Sequence, residues 1–126
     1  MLANNETGVI QPLAQIADIA RKAGERYDSR VLVHTDAAQA VGKVDVDPDV
    51  LKTDFVTVVG HKFYGPRIGA LVIRSEKTVP LQSLFRGGSQ EHGKRAGFVF
   101  SNSPSLFASV ESSSTAAVSL QFMGSV

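Results

Sequence analysis

The sequence has no cysteine and only a small excess of positive charge. Without cysteine, the chain has no disulfide, no thiolate metal ligand and no cysteine nucleophile of its own. Thirteen Lys and Arg residues against twelve Asp and Glu residues leave a net charge of +1. That charge is too small to hold nucleic acid or an anionic membrane by electrostatic attraction alone, so we expect neither as a partner.

Long hydrophobic runs are also absent. No run approaches the roughly 18 apolar residues that a bilayer-spanning helix needs. Met1 is followed by Asn4, Asn5 and Glu6, whereas a secretory signal has basic and then apolar residues. The composition, 43% hydrophobic and 20% charged over 126 residues, is ordinary for a globular domain. We therefore expect a soluble protein of the cytosol.

The apolar pattern predicts an α/β fold with a mostly parallel sheet and flanking helices. An amphipathic helix is predicted over residues 12–23, because Pro12 suits a first helical turn and Gly24 suits a left-handed stop. Its predicted apolar face consists of Leu13, Ile16, Ala17, Ala20 and Ala23. Continuous apolar runs at 31–33, 55–59 and 69–73 are typical of buried strands, and Asp47 opens a short helical turn.

The chain divides into two segments of different composition. Residues 1–97 are predicted to be part of a larger α/β domain, because so few strands and one long helix do not cover both faces of a sheet. Residues 98–126 form a second segment, in which positions 101–126 hold nine Ser and a single charged residue, Glu111. The Ser-rich composition has poor helix propensity and predicts a poorly ordered tail.

Polar side chains follow two of the predicted strands. The sequence HTDAAQ at 34–39 follows the first run and GHKFYGP at 60–66 follows the second, so an acid, an amide, an imidazole and a lysine would converge if these strands are neighbours. A lysine whose stem lies in a semi-buried wall favours the neutral amine that forms imines. The alternative for Lys62 is a solvated loop cation, since buried lysines are rare.

Asp36 favours pyridoxal phosphate as the cofactor, because a carboxylate beside a pyridine nitrogen keeps it protonated and makes the ring an electron sink. Gln39 could donate to the ring's phenolic oxygen, and His61 to its phosphate. Two alternatives remain open. Asp36 could cap the following turn, or His34, Asp36 and His61 could bind a metal, although no close ligand spacing on one element supports a metal site.

Three motifs in this sequence resemble those of class V aminotransferase-fold enzymes: NNETG at 4–8, HTDAAQ at 34–39 and GHKFYGPRIGAL at 60–71. The resemblance covers about residues 1–97 and implies part of the large pyridoxal-phosphate-binding domain of a fold-type I enzyme. It implies that Lys62 is the catalytic residue and binds the cofactor covalently. It further implies that Asp36 pairs with the pyridinium nitrogen, Asn5 and Gln39 lie along the ring's oxygen edge, and His61 holds phosphate.

Within that family, FYGPRI at 63–68 favours the selenocysteine lyases over the related cysteine desulfurases. The implied reaction breaks the Cβ–Se bond of selenocysteine and leaves alanine and reduced selenium, with Lys62 moving protons. The resemblance also implies a homodimer and a small amino-acid substrate, selenocysteine or cysteine. The alternatives are a cysteine desulfurase relative and a truncated, non-catalytic product.

Two positions depart from the family pattern. Phe98 stands where the family has a threonine that reaches the phosphate of the partner subunit's cofactor, and Val59 stands where cysteine desulfurases often have a phosphate-binding serine. The glycines at 87 and 88 are only a weak signal for a separate phosphate loop. Because the chain has no thiol, it cannot carry a persulfide on itself, and we expect it to be a partial form of the enzyme.

Overall fold

The computed structural model describes residues 1–75, 77–79, 81–83, 87–93 and 117–121, with only the backbone described for 91, 92 and 117–121. Helices and strands alternate along the first part of the chain. In chain order the elements are α1 (Leu13–Glu25), β1 (His34–Asp36), α2 (Pro48–Leu51), β2 (Phe55–Val59), a 3₁₀ turn (Gly60–Lys62), β3 (Gly69–Ile73), α3 (Gln90–Gly93) and β4 (Ala117–Gln121). The predicted α/β class is confirmed.

The described strands form one mixed sheet in the order β1-β2-β3-β4. β1 is parallel to β2, whereas β2/β3 and β3/β4 are antiparallel pairs. Parallel neighbours need a crossover of about a dozen residues or more. The link between β2 and β3 consists only of residues 60–68, so β3 returns antiparallel. The apolar runs predicted a mostly parallel sheet. Among the described strands, the β1/β2 pair is parallel as predicted, and the other two pairs are antiparallel.

Helix α1 begins directly after Pro12, as predicted, but it does not end at Gly24. The helix continues to Glu25, and Gly24 is buried without a left-handed backbone. A Cβ on Gly24 would lie 2.5 Å from the Ser29 carbonyl oxygen and 2.6 Å from Cγ2 of Val31. Gly24 is thus required by the close approach of the following chain and not by helix termination.

The apolar face of α1 differs from the predicted one. Leu13 and Ala17 are buried, whereas Ile16 and Ile19 are 44% and 69% exposed. The buried positions follow a spacing of four residues, which turns Ile16 and Ile19 away from the sheet. The helix therefore packs a narrower stripe against the core than its composition predicts.

The first strand lies later in the chain than the apolar run 31–33. The register with β2 begins at His34, which pairs with Phe55, and the Val33 carbonyl accepts the Phe55 N–H at 3.1 Å just before it. Oδ2 of Asp54 accepts the Val33 N–H at 2.8 Å and an Arg21 N–H at 2.9 Å, and the Val33 carbonyl accepts the Asp54 N–H at 2.7 Å. Asp54, which is 8% exposed, therefore joins α1 to the start of β1.

One hydrophobic cluster holds these elements together. Its buried members are Leu2, Leu13, Ala37, Ala40 and Val56. On the helical side, Lys52 Nζ donates to Asp18 Oδ2 at 2.7 Å and so links α2 to α1. That hydrogen bond lowers the pKa of the Asp18 carboxyl below its ordinary value.

The predicted short helical turn is present as α2. Asp47 is its N-cap, with Oδ1 accepting the Asp49 N–H at 2.8 Å.

Among the helices of the described ranges, none is long and apolar enough to cross a bilayer. The prediction of a poorly ordered tail over 98–126 stays a prediction, since apart from β4 that segment lies outside the described residues.

We predict that Asp54→Ala lowers the free energy of unfolding by about 2–3 kcal/mol, because it leaves the Val33 N–H and the Arg21 guanidinium without their shared acceptor. Urea unfolding followed by circular dichroism measures the change. The exposed Asp45 provides a control, and Asp45→Ala should change stability by less than about 0.5 kcal/mol. Equal effects of the two substitutions would contradict the role assigned to Asp54.

Candidate active site

The parallel pairing of β1 with β2 brings two of the predicted site segments to one edge of the sheet. Asp36 is the last residue of β1 and pairs with Thr57, and the 3₁₀ turn that carries His61 and Lys62 follows directly after β2. Ala37 continues the contact by donating its N–H to the Thr57 carbonyl at 2.9 Å. Side chains at the carboxyl ends of both strands therefore share this edge.

Asp36 is exposed, and one of its two carboxylate oxygens is already engaged. Oδ1 accepts the Ala38 N–H at 2.7 Å, which is the turn-capping role considered from the sequence. Oδ2 makes no hydrogen bond to the described part of the chain. The capping bond fixes the carboxylate on the backbone and leaves an acceptor for a ligand, so the two roles are compatible.

Gln39 follows in the same turn. Its Oε1 accepts from Lys43 Nζ at 3.3 Å, so the amide nitrogen keeps its N–H donors for other partners. Residues 41–46 then line an open depression of about 620 Å³. Asp36 and Lys62 are not part of that lining, so this depression is adjacent to the predicted site along the chain but is not the site itself.

The N-terminal segment reaches the same edge. The Leu2 N–H donates to the Asp36 carbonyl at 2.8 Å, and the turn at 4–8 follows from there. Asn4 organises this turn, since its Oδ1 accepts the Glu6 N–H at 3.0 Å and the Thr7 N–H at 2.9 Å. Asn5 is exposed at the tip. The structural role of Asn4 was missed from the sequence, although Asn favours turns because its side chain can accept a backbone N–H two residues on.

The loop that carries Lys62 is closed on itself by Gly60. Its N–H donates to the Ile68 carbonyl at 2.7 Å, and its carbonyl accepts the N–H groups of Phe63 at 3.1 Å and Gly65 at 2.9 Å. A Cβ on Gly60 would lie 2.7 Å from the Pro66 carbonyl oxygen. The glycine is therefore required by the close packing of the loop, which fixes the backbone of Lys62.

The surroundings of Lys62 are more open than the sequence predicted. Lys62 and His61 are both exposed, and Tyr64 projects fully into solvent with a left-handed φ of 66°. Of the residues expected to form a semi-buried wall around Lys62, Gly60 is buried and Phe63 is half-buried, whereas His61 and Tyr64 are exposed. Neither Lys62 nor His61 makes a side-chain hydrogen bond or ion pair within the described residues.

His34 lies on the same face of β1 as Asp36, two residues away. Its Nε2 lies 2.8 Å from Oγ1 of Thr57, so it is bound to the neighbouring strand. Among the described residues, no group of three His, Cys, Asp or Glu side chains is placed to hold a metal ion. His34 therefore contributes to the pairing of β1 with β2.

The chemistry of this edge fits pyridoxal phosphate. Such a ring, its oxygen and its phosphate require a carboxylate, an amide donor, an imidazole and an amine. The described residues supply a carboxylate with one oxygen anchored and the other unbonded, an amide whose N–H donors are unbonded, an imidazole and an amine. The residues that would hold the cofactor are Asp36, Gln39, His61, Lys62 and Asn5.

The chain belongs to the class V aminotransferase family, whose model matches residues 1–121. Its similar relatives include the selenocysteine lyase of Rattus norvegicus, which is 55% identical over 102 residues, covering 77% of this chain and 24% of that protein. The cysteine desulfurase IscS of Dechloromonas aromatica is 45% identical over 98 residues, covering 77% of this chain and 23% of that protein.

Solved structures agree with this assignment. A NifS-like protein superposes with a TM-score of 0.67 at 41% identity, covering 77% of this chain and 25% of that one. SspA in complex with cysteine superposes with a TM-score of 0.64 at 40% identity, covering 78% and 27%. The chain thus spans about a quarter of the length of the relatives that it matches.

We predict that Gly60→Ala destabilises the chain by about 1–3 kcal/mol, because the added methyl group collides with the backbone of Pro66 and forces the loop apart. Hydrogen exchange should show faster exchange of the Gly65 N–H, which donates to the Gly60 carbonyl. Unchanged unfolding and unchanged protection at Gly65 would show that the close packing of this loop is not required.

Proposed function

We propose that this chain supplies the lysine-bearing part of a pyridoxal-phosphate-dependent lyase that converts selenocysteine to alanine. The observation that carries the proposal is the placement of Asp36 and of the Lys62 turn at the ends of neighbouring parallel strands. The similarity to a selenocysteine lyase supports the choice of substrate. We further propose cytosolic action and a homodimer as the complete form.

When bound, pyridoxal phosphate supplies an electron sink for the charge that develops at the substrate Cα. Asp36 is the acceptor for the ring N–H, and its Oδ1 bond to the Ala38 N–H holds the carboxylate at the end of β1. Lys62 moves the proton at Cα. The hydrogen bonds of Gly60 close the turn that carries Lys62 and so hold its backbone in place for this role. Gln39 and Asn5 orient the ring's oxygen edge, and His61 donates to the phosphate.

Cleavage of the Cβ–Se bond leaves alanine, with a proton added at Cβ. Release of selenium in reduced form needs electrons from a thiol, and this sequence has no cysteine to supply them. An external thiol is therefore the reductant in our proposal. The interaction between Asp36 and the ring strengthens as charge develops, so its loss should lower turnover more than it lowers binding.

Two alternatives have observations of their own. A cysteine desulfurase relative is favoured by the 45% identity to IscS and by the likeness to SspA, whose structure has cysteine bound. A non-catalytic product is favoured by the absence of cysteine from this sequence and by the exposure of Lys62. Each of these functions that includes pyridoxal phosphate requires Lys62 to react with the aldehyde of that cofactor.

We predict that pyridoxal phosphate followed by borohydride reduction labels Lys62 in preference to the other lysines of the chain. The reason is that Lys62 lies on the turn after β2, beside the end of β1 that carries Asp36, whereas the amine of Lys43 is bound to Gln39 Oε1. Peptide mapping by mass spectrometry identifies the labelled position, and Lys62→Ala should remove most of the label. Lys22→Ala is the matched control, because Lys22 is exposed on α1 away from this edge.

Label spread evenly over the surface lysines, or label retained in Lys62→Ala, would contradict the proposed cofactor site. The same mapping on Asp36→Ala tests the carboxylate, and we expect slower labelling of Lys62 because the ring loses its anchor. Asp45→Ala serves as the control for loss of a negative charge.

We predict that any alanine released in the presence of pyridoxal phosphate and a thiol comes from selenocysteine faster than from cysteine. Amino-acid analysis of the two reactions, with Lys62→Ala as a blank, provides the measurement. Faster release from cysteine would favour the desulfurase reading. No release from either substrate, with Lys62 still labelled, would favour a non-catalytic chain that binds the cofactor.

A further inference from the structure

The loop after β2 carries only positive charge. From residue 55 to residue 75 the sequence has no Asp or Glu, whereas His61, Lys62 and Arg67 are all present and all exposed in the structure. The proposed function uses the imidazole and the amine. Arg67 has no role in it, although it lies on the same short loop.

The hairpin register places Arg67 beside His61. Val59 pairs with Gly69 in the β2/β3 ladder, and the Gly60 N–H extends the pairing by bonding to the Ile68 carbonyl at 2.7 Å. His61 follows Gly60 in the 3₁₀ turn, and Arg67 precedes Ile68 in the loop, so the two residues flank this hydrogen bond. Both side chains are exposed, so an imidazole and a guanidinium from the two sides of this bond are accessible to one anion.

A tight turn presents the Arg67 side chain. The Ile68 N–H donates to the Pro66 carbonyl at 2.8 Å, which closes a three-residue turn with Arg67 at its centre. The backbone of Arg67 is not left-handed, so the turn is of the common, unstrained kind. The turn fixes the backbone of Arg67 before any ligand binds, and the side chain is exposed.

Arg67 has no protein partner among the described residues, a property it shares with Arg26. By contrast, Arg21 donates to the Asp54 carboxylate, Arg74 donates to the Asp49 carboxylate, and Arg30 donates to the Thr78 carbonyl. A guanidinium has five N–H donors in a planar fork that matches the oxygens of a phosphate. The part of the chain that the structure describes leaves all the donors of Arg67 to a ligand.

We propose that Arg67 binds the phosphate monoester of the cofactor together with His61. This inference rests on the proposed function and adds a phosphate ligand on the lysine loop itself. Val59, just before the loop, has no hydroxyl with which to donate to a phosphate. Arg67 supplies charge-assisted hydrogen bonds from the far side of the loop, next to Ile68, whose carbonyl is bound to Gly60.

The test compares pyridoxal phosphate with pyridoxal, which has the same aldehyde and ring but no phosphate. Binding to the full chain is followed by the yellow imine absorbance, and borohydride mapping confirms that the reacting amine is Lys62. We expect Arg67→Gln to weaken binding of pyridoxal phosphate about tenfold and to leave binding of pyridoxal unchanged. Arg67→Lys should recover part of the loss, because it restores the charge without the fork.

Arg26→Gln is the matched control for loss of one positive charge. Arg26 caps the carboxyl end of α1, next to the segment that precedes β1, and is therefore at the opposite edge of the sheet. We expect it to change the binding of neither aldehyde. Circular dichroism and thermal unfolding should be the same for both glutamine variants, since Arg67 and Arg26 are both exposed.

Two results would overturn the inference and leave the proposed function intact. In the first, the Arg67→Gln variant still binds pyridoxal phosphate in preference to pyridoxal as strongly as the unchanged chain does. In the second, the substitution weakens the binding of both aldehydes equally. Failure of both aldehydes to label Lys62 in the unchanged chain would contradict the proposed function and the inference together. Loss of the phosphate preference in Arg67→Gln, with pyridoxal labelling intact, supports both.

Discussion

The site depends on the parallel pairing of β1 with β2. β1 has only three residues, and the pairing of His34 with Phe55, Thr35 with Val56 and Asp36 with Thr57 fixes which end of β2 lies beside the carboxylate. Because side chains alternate along a strand, a shift of one residue would turn Asp36 to the opposite face of the sheet. The proposed site therefore requires that register.

Several contacts outside the ladder reinforce this short strand. The Ala37 N–H continues the pairing beyond Asp36, the Leu2 N–H binds the Asp36 carbonyl, and His34 reaches Thr57 across the two strands. At the other end, Asp54 holds Val33 and α1. A strand of three residues has little pairing energy of its own, so these side-chain and backbone bonds explain how Asp36 keeps its position.

Much of the fold follows from local patterns. The bounds of β2 and β3 agree with the apolar runs, and Pro12 and Asp47 mark the starts of α1 and α2, because strand burial and helix initiation are decided by neighbouring residues. The place of β1 was not predictable in this way. It depends on contacts with Asp54 and Phe55, which lie 21 and 22 residues after Val33 and hold that residue at the start of the β1/β2 pair.

The same distinction applies to the site. The sequence identifies Asp36, Gln39, His61 and Lys62 as chemically suited groups, and the structure adds which edge they occupy and how exposed that edge is. The packing reason for Gly60 and the turn around Arg67 depend on a contact between residues 60 and 68, which composition and periodicity do not show. The exposure of Lys62 depends on which segments of the chain pack over the carboxyl ends of β1 and β2. This packing is a property of the tertiary structure that local sequence patterns do not show either.

The absence of cysteine allows a direct test of the central claim, that Asp36 and Lys62 share one edge of the sheet. The measurement is intramolecular crosslinking of the double variant D36C/K62C with a short bismaleimide, compared with S29C/K62C, since exposed Ser29 precedes β1 at its other end. Parallel pairing predicts rapid crosslinking of positions 36 and 62 and slow crosslinking of positions 29 and 62. Faster crosslinking of positions 29 and 62 would contradict the parallel register and, with it, the site.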